Sequence, residues 1–237
     1  MCFHYSLTQE LSKVGERLKV SSEELKWQPA YHANGFTFLK MPVITSENPT
    51  TIQLFNWGLI PSWIKTKSDA DKIKAQTLNA RSETVFEKPS FRSGIIHQRC
   101  LIPTDGFFEW MEFNKKKYPH YIFLKNKEFF CFAGIYSNWV DKETGEITQT
   151  FSILTTEANS MMERIHNIKK RMPVIIDSTH YEEWLQSKLP PSNIKAFFTP
   201  YPADKMEGYT IGKLLNSKNF DSNIPAVIEP VAYPELD

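Results

Sequence analysis

The sequence predicts an α+β fold, a single domain built on antiparallel strands with a few short helices. Three observations carry this. Residues 36–43 and 51–55 alternate apolar and polar side chains with the period of two that marks strands. Residues 107–113 and 118–124 pair as a hairpin through Asn114-Lys115-Lys116-Lys117, a third strand covers 128–136, and Trp139 and residues 150–155 flank a second hairpin turn at 141–146. Helical patterns are confined to three stretches, 7–18, 158–165 and the residues up to Trp184. No repeat, low-complexity segment or linker interrupts the 237 residues, so one domain over 1–237 is expected.

Each element has a local reason. Residues 3–5 read as a short strand. Ser6-Leu7-Thr8-Gln9 has capping-box spacing, and Leu7, Leu11, Val14 and Leu18 then share a helix face, with Gly15 weakening its middle. Trp57-Gly58-Leu59-Ile60-Pro61-Ser62-Trp63 is a shaped loop, readable as a hydrophobic plug or as a stacking surface for a base or sugar. Lys65, Lys67, Lys72 and Lys74 follow, diluted by Asp69 and Asp71, as on an ordinary solvated face. Asn79-Ala80-Arg81-Ser82-Glu83-Thr84 reads as a helix-entry turn with Asn79 or Ser82 as cap. Alternatively, Asn79 is an orienting amide and Arg81 a phosphate fork. Residues 99–103 predict a buried strand. Glu109 follows inside an aromatic run and shares a strand face with Phe107 and Met111. If that face is apolar, desolvation raises its pKa into the acid–base range; otherwise Glu109 lies on a solvent face. The helix over 158–165 delivers His166, a general acid or base or simply a capping residue. Residues 174–176 form a strand, Asp177 or Ser178 caps the next helix, and from Pro190 the chain is Pro-rich and loop-like with short strands.

Composition sets the limits. Hydrophobic content of 41% and charged content of 23% describe an ordinary globular chain, long enough to bury a substantial core. A net charge of +1 provides no global attraction for nucleic acid, so any such site is a local patch. Cys2, Cys100 and Cys131 lack C-x-x-C spacing and predict reduced thiols in a cytoplasmic protein, with no disulfide framework and no zinc site. No apolar run approaches the ~20 residues of a membrane span, and no signal-peptide pattern opens the chain.

Cys2 is the most distinctive position. A small residue at position 2 permits removal of Met1, which would leave a cysteine with a free α-amine beside its thiol. An α-amine titrates near pH ~7.7–8.0, so a useful neutral fraction exists at neutral pH. It can form an imine with an aldehyde, and the thiol can close a thiazolidine on the imine carbon. The thiol could instead attack a carbonyl, or Cys2 could be a small residue in an N-terminal strand.

The ordered series of Cys2, W-G-L-I-P-S-W, N-A-R-S-E-T, G-F-F-E-W and a histidine before R-M-P resembles the SRAP family, the SOS response-associated peptidase-like proteins that sense abasic sites in DNA. The resemblance runs from residue 2 to at least Pro173. It implies a compact domain with a strongly curved, barrel-like, mainly antiparallel sheet. It also implies Cys2, Asn79, Glu109 and His166 as the catalytic group, and Arg81, Trp63 and Arg171 as parts of a groove for single-stranded DNA. The chain departs from the family spelling at three places. Phe3 and His4 follow Cys2 where the family has Gly-Arg. Three extra residues separate His166 from Arg171. Tyr31-His32-Ala33-Asn34-Gly35 replaces an A-P turn that follows an early Y-N pair. The function implied is capture of abasic sites in single-stranded DNA as a thiazolidine crosslink in the DNA damage or SOS response, a lyase-like activity. No metal or organic cofactor is called for, and a monomer is expected. Two other functions fit the same residues: a cysteine peptidase using Cys2 and His166, cutting as little as its own Met1, and a non-catalytic module for a modified base or nucleotide.

Overall fold

The computed structural model describes residues 2–22, 25–216 and 221–236. In chain order the strands are β1 (His4–Leu7), β2 (Ala30–Asn34), β3 (Lys40–Thr45), β4 (Ile52–Trp57), β5 (Asn79–Arg81), β6 (Arg99–Thr104), β7 (Gly106–Phe113), β8 (Lys116–Leu124), β9 (Phe130–Val140), β10 (Ile147–Glu157), β11 (Arg171–Pro173), β12 (Ile175–Ile176) and β13 (Met206–Thr210). The helices are α1 (Leu11–Leu18), α2 (Lys67–Lys74), α3 (Arg92–His97), α4 (Ser160–Ile165), α5 (Tyr181–Trp184) and α6 (Pro191–Ala196).

Strands β4, β3, β6, β9 and β10 pair in that order, and β10 returns to β4. The five therefore close into a barrel, which removes their exposed edges. Every pairing in the ring is antiparallel except β10 with β4. A second sheet, ordered β13-β8-β7-β1-β2, lies against it. Tyr5, Ala33, Phe107 and Ile122 of that sheet share one apolar cluster with Val43, Phe55, Ile102, Phe132 and Phe151 of the ring. The opposite faces of the ring strands feed another cluster, in which Leu101, Ala133, Ile135 and Leu154 meet Trp184 and Ile194 of α5 and α6. Strand alternation assigns neighbours such as Leu101 and Ile102 to different clusters. Both faces are covered, which is why every residue of β6 is buried. The expected α+β class and barrel-like antiparallel sheet are present.

Several local expectations need correction. Ser6 does not cap a helix: it lies in β1, where its hydroxyl bonds Asp105, the carbonyl of Gly106 and Tyr121. Helix α1 starts later and has no side-chain cap. Gly15 in that helix has a packing reason, since a Cβ there would lie 2.7 Å from the carbonyl oxygen of Val20. Residues 36–39 are not strand: Asn34 caps a 3-10 turn at Gly35–Thr37 and β3 begins at Lys40. Asn79-Ala80-Arg81 is a strand, not a helix entry, and pairs parallel with β10. The 107–124 hairpin turns through two residues, Asn114 and Lys115, both with positive φ (49° and 60°), as a type I′ turn demands. Helix α6 lies within the stretch read as loop.

Candidate functional site

Strand β1 lies between β2 and β7 and carries the N-terminal segment into the site. The carboxylate of Asp105 anchors it, accepting from the backbone N–H and the hydroxyl of Thr8, each at 2.5 Å. Thr104 donates to the Ser6 carbonyl at 2.9 Å, and Gly35 N–H donates to the Phe3 carbonyl at 2.8 Å. Cys2 is fully buried in the cluster that holds Tyr5, Trp57 and Phe132. Its thiol faces the His4 carbonyl at 3.6 Å. Burial, reinforced by the negative charge of Glu109, pushes the thiol far above its ordinary range, so it is protonated at neutral pH.

Glu109 takes the inward face of β7 and is 4% exposed. Burial raises its pKa to about 7. His166 closes the C-terminal end of α4 and stands 3.7 Å from the Glu109 carboxylate. Its Nδ1–H donates to the Arg171 carbonyl at 2.8 Å, which leaves Nε2 as the acceptor nitrogen of the neutral ring. Burial lowers the His166 pKa to about 4. The pair is therefore a carboxyl group that holds its proton near neutrality beside an imidazole that does not. The three extra residues before Arg171 are absorbed by this bond: His166 and Arg171 are joined across the insertion.

Asn79, Arg81, Arg171 and Trp63 complete the expected set. Asn79 is buried at the start of β5, opposite Ile153, and both polar atoms of its amide are without a hydrogen-bond partner among the described residues. A buried amide in this state is a costly feature that a bound ligand would satisfy. Arg81 is exposed, two residues further on, and forms no ion pair among the described residues. Arg171 is buried, with its guanidinium bonded to the Glu83 carboxylate and, at 2.7 Å, to the Thr155 carbonyl. The two tryptophans of the W-G-L-I-P-S-W loop differ in environment. Trp57 is fully buried and donates to the Leu78 carbonyl at 2.9 Å, whereas Trp63 is 53% exposed. Gly58 between them has φ +118°, and a Cβ there would meet the Lys74 carbonyl at 2.9 Å.

Sequence reasoning missed a histidine chain beside the site. His4 Nδ1 lies 2.8 Å from His32 Nε2, and His32 Nδ1 lies 2.6 Å from the Ser222 hydroxyl. Burial lowers both pKa values, to about 3 for His4 and about 4 for His32. The only signal was the pair of departures at positions 4 and 32, which the register of β1 on β2 brings together. Also missed was the full wall of the cleft over Glu109. It encloses about 340 Å³ and is lined by Phe3, His4, Trp110, Lys117, His166, Ile168 and Lys169 as well as Glu109 itself. Among the described residues, no cluster of His, Cys, Asp or Glu is arranged to hold a metal. No described helix is long and apolar enough to cross a membrane.

Known proteins resemble this arrangement over almost its whole length. Residues 1–218 match the profile of the family described as SOS response associated peptidase (SRAP). The abasic site processing protein YoqW of Bacillus subtilis is 36% identical over 233 residues, covering 97% of this chain and 99% of its own. The abasic site processing protein HMCES of Gallus gallus is 29% identical over 195 residues, covering 74% of this chain and 56% of its own. A crystal structure of a protein from Bacteroides thetaiotaomicron superposes with a TM-score of 0.92 at 40% identity, covering 98% of this chain and all of that one. The chain belongs to the SOS response associated peptidase (SRAP) family.

Proposed function

We propose that this protein processes abasic sites in DNA by capturing them, in single strands, as a covalent thiazolidine on Cys2 after removal of Met1. The observation that carries this reading is the buried Glu109–His166 pair beside the N-terminal segment, with its two protonation states held apart. The relatives named as abasic site processing proteins support the substrate. The ring-closed lesion opens when Nε2 of His166 takes the proton of the anomeric hydroxyl and Glu109 gives a proton to the ring oxygen. Glu109 is the donor here because a histidine with a pKa near 4 carries no spare proton at neutral pH. Exchange with water in the cleft restores both groups. The Cys2 amine then adds to the aldehyde carbon, and Glu109 protonates the resulting hydroxyl, which leaves as water. The Cys2 thiol adds to the iminium carbon while its proton returns to the Glu109 carboxylate. Aldehyde and aminothiol thus become thiazolidine and one water. Holding amine, thiol and acid in one pocket supplies much of the rate.

In this reading Asn79 presents its unpartnered amide to the N-terminus or the sugar, Arg81 and Trp63 meet the strand from the surface, and Arg171 positions His166 through its carbonyl. A peptidase would need a thiolate held by an imidazolium. Cys2 and His166 are shifted the opposite way, which favours capture over peptide cleavage. The test is intact mass and denaturing electrophoresis after incubation with an abasic oligonucleotide. Wild type should lose Met1 and yield a heat-stable adduct one water lighter than the sum of its parts, and Cys2→Ala should yield none. Equal adduct from Cys2→Ala would sink the proposal.

A further inference from the structure

Between His166 and Arg171 the chain carries Asn167, Ile168, Lys169 and Lys170. These residues form a tight turn that is tied down on two sides. At its base, Lys170 N–H donates to the His166 carbonyl at 2.8 Å, and Lys170 adopts a left-handed conformation with φ 47°. At its flank, the Asn167 amide donates to the Glu112 carbonyl at 2.8 Å and accepts from the Glu112 N–H at 3.1 Å. The Asn167 side chain thereby acts as a substitute peptide group on β7, the strand that carries Glu109. The turn is fixed to the same scaffold as the acid–base pair.

Its two tip residues both line the cleft. Ile168 is 60% exposed, second only to Ile147 among the large hydrophobic side chains of the described residues. Lys169 stands near enough for its charge to act on both Glu109 and His166. Lys117 adds a second cation to the cleft, and Phe3 and Trp110 add apolar surface. A bare β-branched side chain on an anchored turn, next to cations, has the composition of the wedges that proteins insert between nucleic-acid bases. Its position decides where such a wedge would act. Ile168 follows His166 by two residues, so a sugar held at Glu109 and His166 leaves its flanking bases at the rim where Ile168 stands. An abasic nucleotide leaves a base-sized void there, whereas an intact nucleotide fills it.

We propose that Ile168 is a specificity wedge that occupies the void left by the missing base, and that Lys169 holds the adjacent phosphate. The proposal rests on the cleft being the capture site and adds to it a means of telling a damaged strand from an intact one before any bond forms.

The probe is a single-stranded oligonucleotide with one tetrahydrofuran residue, which keeps the void but has no aldehyde, compared with the intact strand by fluorescence anisotropy. Wild type should prefer the gapped strand. Ile168→Ala should reduce that preference by roughly fivefold to twentyfold, as expected for losing a few buried methyl and methylene groups, and Ile168→Leu should retain it. Lys169→Ala should weaken both strands alike and lower the salt slope by about one contact. Thermal melting run alongside should be unchanged for these exposed positions. A wild type without preference, or an Ile168→Ala variant with the wild-type preference, overturns the wedge even if wild type forms its adduct with a true abasic strand. A wild type that discriminates through Ile168 but forms no adduct overturns the capture chemistry and leaves the wedge standing.

Discussion

At Glu109 a carboxyl group is carried on the strand face of Phe107 and is 4% exposed. Its place inside an aromatic run made this burial one of two readings, because on a strand every second residue shares a face, and the packing of β7 decided between the apolar and the solvent side. The 3.7 Å approach of His166 was not legible, since the two residues meet only through the packing of α4 against β7. Glu109→Gln should slow adduct formation by roughly 10²–10⁴-fold, the usual span for general acid–base catalysis. Wild-type capture should fall on the alkaline side as Glu109 loses its proton near pH 7, and the variant should lack that limb; pH–rate profiles by quenched-flow gel assay check both. The same shift has a consequence for stability. The pKa of Glu109 is raised from 4.5 to about 7 on folding, so its contribution is full below 4.5 and is lost as pH rises through 7. At pH 8 Glu109→Gln should therefore be the more stable protein, by roughly 3 kcal/mol in urea unfolding, the worth of a shift of this size. The difference should vanish at pH 4. A variant less stable than wild type at pH 8 would mean that the fold requires the Glu109 charge. Arg171 teaches the converse lesson: an arginine read as a ligand for DNA is engaged by Glu83 and Thr155 inside the fold, and nothing in R-M-P reveals which partner an arginine takes.

At the scale of the element, local chemistry and long-range pairing separate cleanly. The β7–β8 hairpin and the Asp177 cap follow from nearby residues and were readable, although the turn is two residues long and not the four of Asn114-Lys115-Lys116-Lys117. Strand β5 was not, because three residues have no periodicity to read and its partner β10 lies far along the chain. Helix α3 and strand β6 are joined by one side chain. Arg99 is fully buried, and its guanidinium donates to the carbonyls of Ile95 (3.0 Å) and Ile96 (2.7 Å) at the end of α3, to Trp184 of α5 (3.1 Å) and to Gln186. Trp184 returns a bond to the Cys100 carbonyl at 2.9 Å. These contacts satisfy the orphan carbonyls that every helix end exposes. Arg99→Lys keeps the charge but cannot reach four carbonyls from one planar fork. It should destabilise the protein by about 2–4 kcal/mol, in the range for uncompensated buried polar groups. Chemical denaturation measures this, and a loss below about 0.5 kcal/mol would show that Arg99 is dispensable as a tie.

For the whole molecule, stability against pH is set by groups that the barrel and its covering sheet bury together. His4, His32 and His166 all have pKa values lowered by burial, to about 3, 4 and 4 against an ordinary 6.5. Each contributes stability that is full above 6.5 and is lost as pH falls through its folded value. Glu109 acts in the opposite sense between 4.5 and 7. Three histidines outweigh one carboxyl group, so the melting temperature should rise from pH 4 to pH 6.5. Replacing His32 by Gln should flatten that rise in differential scanning calorimetry; an unchanged slope would mean that His32 does not titrate on unfolding. What the sequence by itself determined was the fold class, the hairpins, the family and the identity of the chemical groups, because alternation, turn chemistry and short motifs are encoded within a few residues of one another. Only the tertiary structure decided that the ring closes through the parallel pairing of β10 with β4, that His4 meets His32 and Ser222, that Glu109 holds its proton beside a neutral His166, and that the insertion after His166 folds against β7 with Ile168 in the cleft. Those outcomes depend on desolvation and on contacts between distant segments, and neither quantity exists until the chain has packed.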